Sequence, residues 1–334
     1  MTGVLLIQLG TPDSPSVQDV RKYLSEFLND PRVIDIPYLL RKMLVNLIIV
    51  PFRAPKSAKL YEMLWTDKGS PLLFNSISLK EKLQTALGNN YQVELAMRYK
   101  NPSLESVLGK MKQKVYDKII ILPLFPHYAS ASTGSAINKA LDIIRTWWVI
   151  PELKIISQFY DNEDYLNSVA AKGRQYNLSE YDHILFSYHG LPVRQVDKVY
   201  NDGRTCEAHN CENEITESNK FCYKAACYAT TRFLVERLNI PKEKYTVCFQ
   251  SRLNKKWLEP FSDKLIAELA RKGAKKLLVF SPAFVSDCLE TTVEISHDYL
   301  QIFKTNGGEH LQLVESLNDS PLWVEAVKNL VLSQ

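Results

Sequence analysis

Eight short apolar runs, rich in β-branched residues and separated by longer stretches of helical periodicity, constrain this chain more than any other feature. They fall at 4–9, 92–97, 118–123 and 153–158 in the first half, and at 183–188, 245–250, 275–280 and 310–314 in the second. Strands that alternate with helical patterns, such as those at 76–87 and 260–272, predict an α/β fold with a parallel sheet and crossover helices. The runs are nearly continuous in hydrophobicity, as expected of strands covered on both faces. At 334 residues the chain has room for two domains.

The two groups of four read as an internal duplication. The first strand of each ends in a glycine turn with a nearby proline, Leu9-Gly10-Thr11-Pro12 and His189-Gly190-Leu191-Pro192. The second leads to an arginine, Arg98 or Arg252, and the third runs into Leu122-Pro123-Leu124-Phe125 or Ser281-Pro282-Ala283-Phe284. The expectation is two similar Rossmann-like domains, each a four-stranded parallel sheet flanked by helices, with a cleft between them. Residues 1–158 form the first and 159–315 the second, with an insertion at 201–227, and a helix within 316–334 packs back on the first domain. Ligands of such sheets bind beyond the carboxyl ends of the strands. No GxGxxG or GxxxxGK[ST] follows a strand, so no nucleotide is expected. A net charge of +4, with 41 basic against 37 acidic residues, gives no support to a nucleic-acid partner.

Two strand ends carry chemistry. His189 closes a buried run before a glycine turn, where the sheet holds it rigidly, and imidazole is a usable base at neutral pH. Asp287, Glu290, Glu294 and Asp298, spaced 3, 4 and 4, fall on one face of a helix. Carboxylates in a row repel, and a cation or proton path is a reason to accept that cost; the plainer alternative is a solvated acidic face. A base opposite a line of acids suits metal insertion.

These residues resemble the ferrochelatase family. The resemblance rests on Ser187-Tyr188-His189-Gly190-Leu191-Pro192 and on Phe284-Val285-Ser286-Asp287-Cys288-Leu289-Glu290-Thr291-Thr292-Val293-Glu294. It extends through Gln8-Leu9-Gly10-Thr11-Pro12, Arg53-Ala54-Pro55-Lys56, Gly69-Ser70-Pro71-Leu72, Met97-Arg98-Tyr99, Leu122-Pro123-Leu124-Phe125-Pro126-His127-Tyr128, Thr133-Gly134-Ser135 and Trp257-Leu258 to Ser316-Leu317-Asn318-Asp319. It implies two chelatase-type domains and insertion of Fe²⁺ into protoporphyrin IX, the last step of haem synthesis. It assigns His189 and Glu290 to the catalytic centre, with His189 favoured as proton acceptor and His189, Asp287, Glu290, Glu294 and Asp298 as the metal or proton path. Ser70, Arg98 and Tyr128 match positions near the macrocycle or its propionates, and an arginine fork suits a carboxylate. Trp257 and Phe284 are expected to pack on the macrocycle. Cys288 departs from the family pattern, standing where many members have His. Leu9 stands where the coproporphyrin-using branch commonly has Tyr, which favours protoporphyrin IX. The alternatives are a haem- or metal-binding module without turnover, and a chelatase of another tetrapyrrole such as coproporphyrin or sirohydrochlorin.

Four of the six cysteines, Cys206, Cys211, Cys222 and Cys227, form C-x4-C-x10-C-x4-C in a polar segment that cannot build its own core. A metal centre would order it. Four thiolates suit a [2Fe–2S] cluster or tetrahedral Zn²⁺. The resemblance, through members with a cluster in an internal insertion, places the cluster first and zinc second.

The N-terminus reads as a strand rather than a signal peptide, and no apolar run reaches the roughly 18–20 residues of a spanning helix. From position 36 to 61 there are five basic residues (Arg41, Lys42, Arg53, Lys56, Lys59) and no acid. Such a segment suits peripheral membrane contact through 39–52; a core helix with a basic edge is the alternative. The expectation is a cytoplasmic protein, peripheral on the inner membrane, and a homodimer.

Overall fold

The computed structural model describes residues 1–334. The chain divides into two compact units: Met1–Phe125 with Ser130–Gln158 and Asn318–Gln334, and Pro126–Ala129 with Phe159–Leu317.

In the first unit, β1 (Thr2–Gly10), β2 (Tyr91–Tyr99), β3 (Lys118–Pro123) and β4 (Glu152–Ile155) form a parallel sheet in the order β2-β1-β3-β4. The central strand is covered on both faces, so Val4, Leu5, Leu6 and Ile7 are all inaccessible. Leu5, Ile7, Ile119 and Ile121 pack on Leu104 and Leu108 of the helix Leu104–Met111 and on Ala136 and Ala140 of the helix Ser135–Ile144. β4 stops short of the expected 158; its last rung is the Ile156 amide on the Ile121 carbonyl, 3.0 Å. The helix expected at 76–87 starts earlier, at Pro71–Leu87. Its first turn has little apolar periodicity, but Pro71 at the first helical position is pre-organised for a helix start. The terminal helix Pro321–Leu332 belongs to this unit. It buries Trp323, and Asp319 ahead of it receives Ser78 Oγ at 2.5 Å and Lys82 Nζ at 2.5 Å.

The second unit repeats the plan. β5 (His183–His189), β6 (Tyr245–Gln250), β7 (Lys276–Phe280) and β8 (His310–Leu313) are parallel, in the order β6-β5-β7-β8. One face packs Leu185, Leu277 and Val279 against Ile266 of the helix Ser262–Arg271 and against Ile295 and Phe303. Ile295 lies in a π-helix, Leu289–Tyr299, where the sequence pattern predicts an α-helix. Its wider i→i+5 bonding is uncommon and recurs at functional sites.

No helix is long and apolar enough to cross a membrane. The basic segment is helical over Tyr38–Met43, Leu44–Ile49 and Val50–Leu64. It exposes Tyr38, Leu39, Leu40, Met43, Leu47, Ile48 and Phe52. Arg41 does not share that surface. It is buried and donates to the carbonyls of Asn29 (2.9 Å) and Ile36 (2.7 Å), closing the preceding loop.

Candidate active site

The carboxyl end of β5 presents His189. Its Nδ1 lies 2.6 Å from the Gly190 carbonyl oxygen, which can only accept, so Nδ1 carries a proton and, in the neutral imidazole, the lone pair is on Nε2. The ring is half-buried, with Trp257 centred 6.4 Å away and Phe284 6.3 Å away. Backbone bonds hold this arrangement. The Gly190 amide donates to Gln250 at 2.8 Å, Val193 to Lys256 at 3.0 Å, and Leu258 to Leu191 at 2.9 Å. A Cβ at Gly190 would stand 2.8 Å from the Gln250 carbonyl, so the turn after His189 requires glycine. Three residues selected from separate stretches of sequence, His189, Trp257 and Phe284, thus come together.

Behind the histidine lies a buried aromatic bed. The Tyr223 hydroxyl donates to the His189 carbonyl at 2.9 Å. The fully buried His127 ring packs edge-on to Tyr188 (5.2 Å) and Tyr223 (6.1 Å). Thr230 donates to the Tyr160 carbonyl, so it accepts from His127 Nε2, 2.9 Å away. Nδ1 of His127 is buried without a hydrogen-bond partner. Burial pushes this imidazole down to about 3, and it stays neutral.

Gln250, the register partner of His189, connects the base to the acids. Its Nε2 donates to the Glu290 carbonyl at 2.9 Å, and its Oε1 accepts from Ser187 at 2.8 Å. Sequence reasoning missed Gln250 and Ser251; their position beyond β6, opposite the glycine turn of β5, was the available signal. The four acids do not form one helical line. Asp287 precedes the π-helix, and Cys288 is its N-cap, with the Cys288 amide donating to Thr291 Oγ1 at 3.0 Å. Glu294 takes the Ser251 amide (2.8 Å), the Ser251 hydroxyl (2.5 Å), Gln250 Nε2 (3.2 Å) and the Tyr299 hydroxyl (2.9 Å). Four donors fill the four acceptor sites of a carboxylate, so Glu294 anchors the helix to β6 rather than standing open as a ligand. Asp298 is exposed and pairs with His297 at 2.8 Å. Burial, then the neighbouring Glu290 charge, raises the Cys288 thiol well above its ordinary value, so the residue after Asp287 is a neutral thiol.

The residues expected near propionates have other partners. Arg98 donates from Nε to Ser135 Oγ (2.6 Å) and from Nη2 to Asp30 (2.5 Å), so most of its fork is committed inside the first unit. Ser70 is buried with no hydrogen-bond partner for its hydroxyl, as are Thr11 and Thr133 of the neighbouring motifs. Leu9 is half-buried at the end of β1. Tyr128 packs edge-on to Phe221 at 5.9 Å.

In the insertion, the sulfurs of Cys206, Cys211 and Cys222 lie within 4.8 Å of one another, all three buried. Cys227 does not join them. It sits in the second turn of the helix Tyr223–Leu238 and is fully buried. Three of the four expected cysteines are thus gathered. The spacing predicted a loop but did not show that the last cysteine points into the helix-packed core.

Two parallel four-stranded sheets of identical order, with polar residues at the strand ends of one unit, define a chelatase-type architecture. A solved structure of SirB from Bacillus subtilis with Fe³⁺ matches 99% of this chain and 94% of its own, at a TM-score of 0.57 and 10% identity. SirB of Bacillus subtilis subspecies spizizenii with cobalt gives 0.54 at 10% identity. At that identity the likeness concerns the fold alone. The ferrochelatase family model matches residues 1–334. A protein named ferrochelatase from Coxiella burnetii (strain Dugway 5J108-111) is 44% identical over 331 residues, 98% of this chain and 92% of its own. One of the same name from Legionella pneumophila (strain Lens) is 43% identical over 333 residues, 99% of each. The chain belongs to the ferrochelatase family, whose members are metal-inserting enzymes.

Proposed function

We propose that the protein inserts Fe²⁺ into protoporphyrin IX to give protohaem, releasing two protons. The observation that carries this reading is the bare Nε2 of His189 held between Trp257 and Phe284. The two rings offer the apolar, π-rich walls a macrocycle needs. His189 takes the pyrrole protons as the metal–nitrogen bonds form. Glu290, whose backbone carbonyl takes Gln250 Nε2, is the carboxylate proposed to meet the incoming dication, and a macrocycle bent toward the base exposes its nitrogen lone pairs. Haem formation from protoporphyrin IX and Fe²⁺ under anaerobic conditions tests the proposal. Equal rates for wild type and His189→Ala would remove His189 from the chemistry, and turnover of coproporphyrin or sirohydrochlorin in preference to protoporphyrin IX would reassign the substrate.

We also propose a cytoplasmic, peripheral membrane location. Seven exposed apolar residues between Tyr38 and Phe52, with Lys42, Arg53, Lys56 and Lys59 beside them, support contact with an anionic surface. Flotation with phosphatidylglycerol-containing vesicles should carry the wild type upward and leave a Leu47→Ser, Ile48→Ser double variant behind.

A resident metal fits the insertion in part. Three buried thiols gathered in a polar loop are the donor chemistry of such a centre. Hydrogen bonds from Cys206 and Cys211 favour a thiolate on Cys222, lowering it to about 3. A [2Fe–2S] cluster, the group expected from the sequence, asks for a fourth cysteine, and Cys227 lies outside the set; no step of the reaction is routed through the centre.

A further inference from the structure

The thiol group has a fourth member that is not a cysteine. Tyr200 is 9% exposed, and its hydroxyl lies 2.8 Å from Cys211 Sγ. Its ring is clamped against His209, stacked at 3.9 Å and 6°, and His209 is held in turn by Asp202 at 3.2 Å. A polar atom on a rigid ring thus lies against one sulfur of the group.

The spacing of the sulfurs decides what such a set can hold. Around one tetrahedral ion with metal–sulfur bonds of about 2.3 Å, neighbouring sulfurs stand about 3.8 Å apart. Cys206 and Cys222 are 3.4 Å apart, and all three sulfurs fall within 4.8 Å. A binuclear cluster shares its thiolates between two irons, so a third thiolate must stand well away from the first two. The observed group is too compact for that.

We propose that Cys206, Cys211, Cys222 and the Tyr200 oxygen form a four-donor site for a single borderline divalent cation of the Zn²⁺ class, and that Cys227 is a core residue with no part in it. Three sulfurs and one oxygen are acceptable to Zn²⁺, Co²⁺ or Fe²⁺. The stacked His209 and its Asp202 orient the tyrosine as outer partners orient metal ligands.

The test is titration of the full-length protein, freed of metal by a chelator under reducing conditions, with Co²⁺ followed by absorption. One Co²⁺ per chain should bind, with tetrahedral ligand-field bands and charge transfer of three thiolates. Cys227→Ala should leave affinity and spectrum unchanged, whereas Tyr200→Phe should weaken binding by about tenfold or more and alter the ligand-field bands. Circular dichroism of each variant confirms folding. Should Cys227→Ala not fold, the wild-type charge-transfer intensity still separates three thiolates from four. Two irons and two sulfides per chain in protein purified without oxygen, a charge-transfer band of four thiolates, or Co²⁺ binding indifferent to Tyr200→Phe would each overturn the proposal.

Discussion

The two sheets share one strand order and differ in what stands at the ends of their strands. In the first unit Arg98 lies 4.4 Å over the Tyr99 ring and pairs with Asp30 at 2.5 Å. In the second, Arg252 lies 4.3 Å over Phe261 and pairs with Asp263 at 2.6 Å. These matched arginine–aspartate–aromatic groups preserve the duplication in side-chain detail. Their surroundings have diverged. The Asp30 side chain is 3% exposed and also receives Tyr99 (2.9 Å), Ser135 (2.5 Å) and the Arg32 amide, whereas that of Asp263 is 35% exposed. At the end of the first strand the contrast reverses, with inert Leu9 in one unit and His189 in the other. Both copies carry a polar network at their strand ends, and the second also places a titratable imidazole there. A doubled fold lets chemistry settle in one half while the other half supplies stiffness.

The largest effect separates the first-strand ends. His189→Ala should cost about 100- to 10,000-fold in kcat, the range for losing a general acid–base group. Leu9→Ala should leave kcat within a few fold. Anaerobic single-turnover kinetics on both variants checks this, and equal losses would mean that the two ends have not diverged in function.

Breaking the matched ion pairs should separate the units in stability. Asp30→Ala strands Arg98 in a buried network, and removing one partner of a buried pair costs about 3–5 kcal/mol. Asp263→Ala acts on a half-exposed, solvent-screened pair, for which about 0–1 kcal/mol is expected. Urea unfolding of both variants measures the gap. Comparable losses would show that burial is not what distinguishes the two arginines.

Much of this was legible in the sequence. All eight strands follow from continuous apolar runs, because a strand covered on both faces leaves an unmistakable pattern. His189, Trp257 and Phe284 were also legible, since His189 closes a strand and the other two lie in the segments that follow strand ends of the same sheet. The acid row was less so. A spacing of 3, 4 and 4 fits a helical face whether or not the helix includes Asp287, and nothing in it reveals that Ser251 and Tyr299 would occupy Glu294. Arg98 was read as a receptor for a carboxylate of the substrate, and the carboxylate it meets is Asp30, 68 positions away in sequence. Long-range polar pairing of this kind has no local signature. Nor did the cysteine spacing disclose that the Tyr200 hydroxyl lies against Cys211 while Cys227 stands outside the three gathered sulfurs.

Acid should weaken the second unit before the first. His127 titrates near 3 in the folded protein because of burial, against about 6.5 unfolded. The unfolded chain binds the extra proton between those values. Stability is therefore fully present above about pH 6.5 and is lost as pH falls toward 3, by at most about 1.4 kcal/mol per unit. At Asp30 burial pushes the carboxyl up, but bonds from Ser135 and the Arg32 amide and the Arg98 charge outweigh it and hold it below its ordinary value. Its contribution persists above the unfolded carboxylate value of about 3.9 and is lost only as pH falls through the folded one. Amide exchange at pH 5 against pH 7 should show protection falling around Tyr188 and Thr230 but not around Tyr99, and His127→Gln should abolish the difference.

The smallest effect addresses how the catalytic base is held. Tyr223 is the first residue of its helix, and its hydroxyl reaches the His189 carbonyl at 2.9 Å. The first unit has no counterpart resting on an aromatic bed of this kind: Leu9 needs no orientation, whereas a base does, because its Nε2 must meet a proton along one direction. Tyr223→Phe keeps the ring against His127 and removes only that bond, so it should cost about 1 kcal/mol, or roughly fivefold in kcat. Tyr223 acts through His189 and not on substrate. The pH profile of kcat should therefore keep its inflection, KM should hold, and His189→Ala should mask the change in the double variant. If the two losses multiply instead, the tyrosine has an independent role, and the orientation of His189 is set by the glycine turn and the Gly190 carbonyl alone.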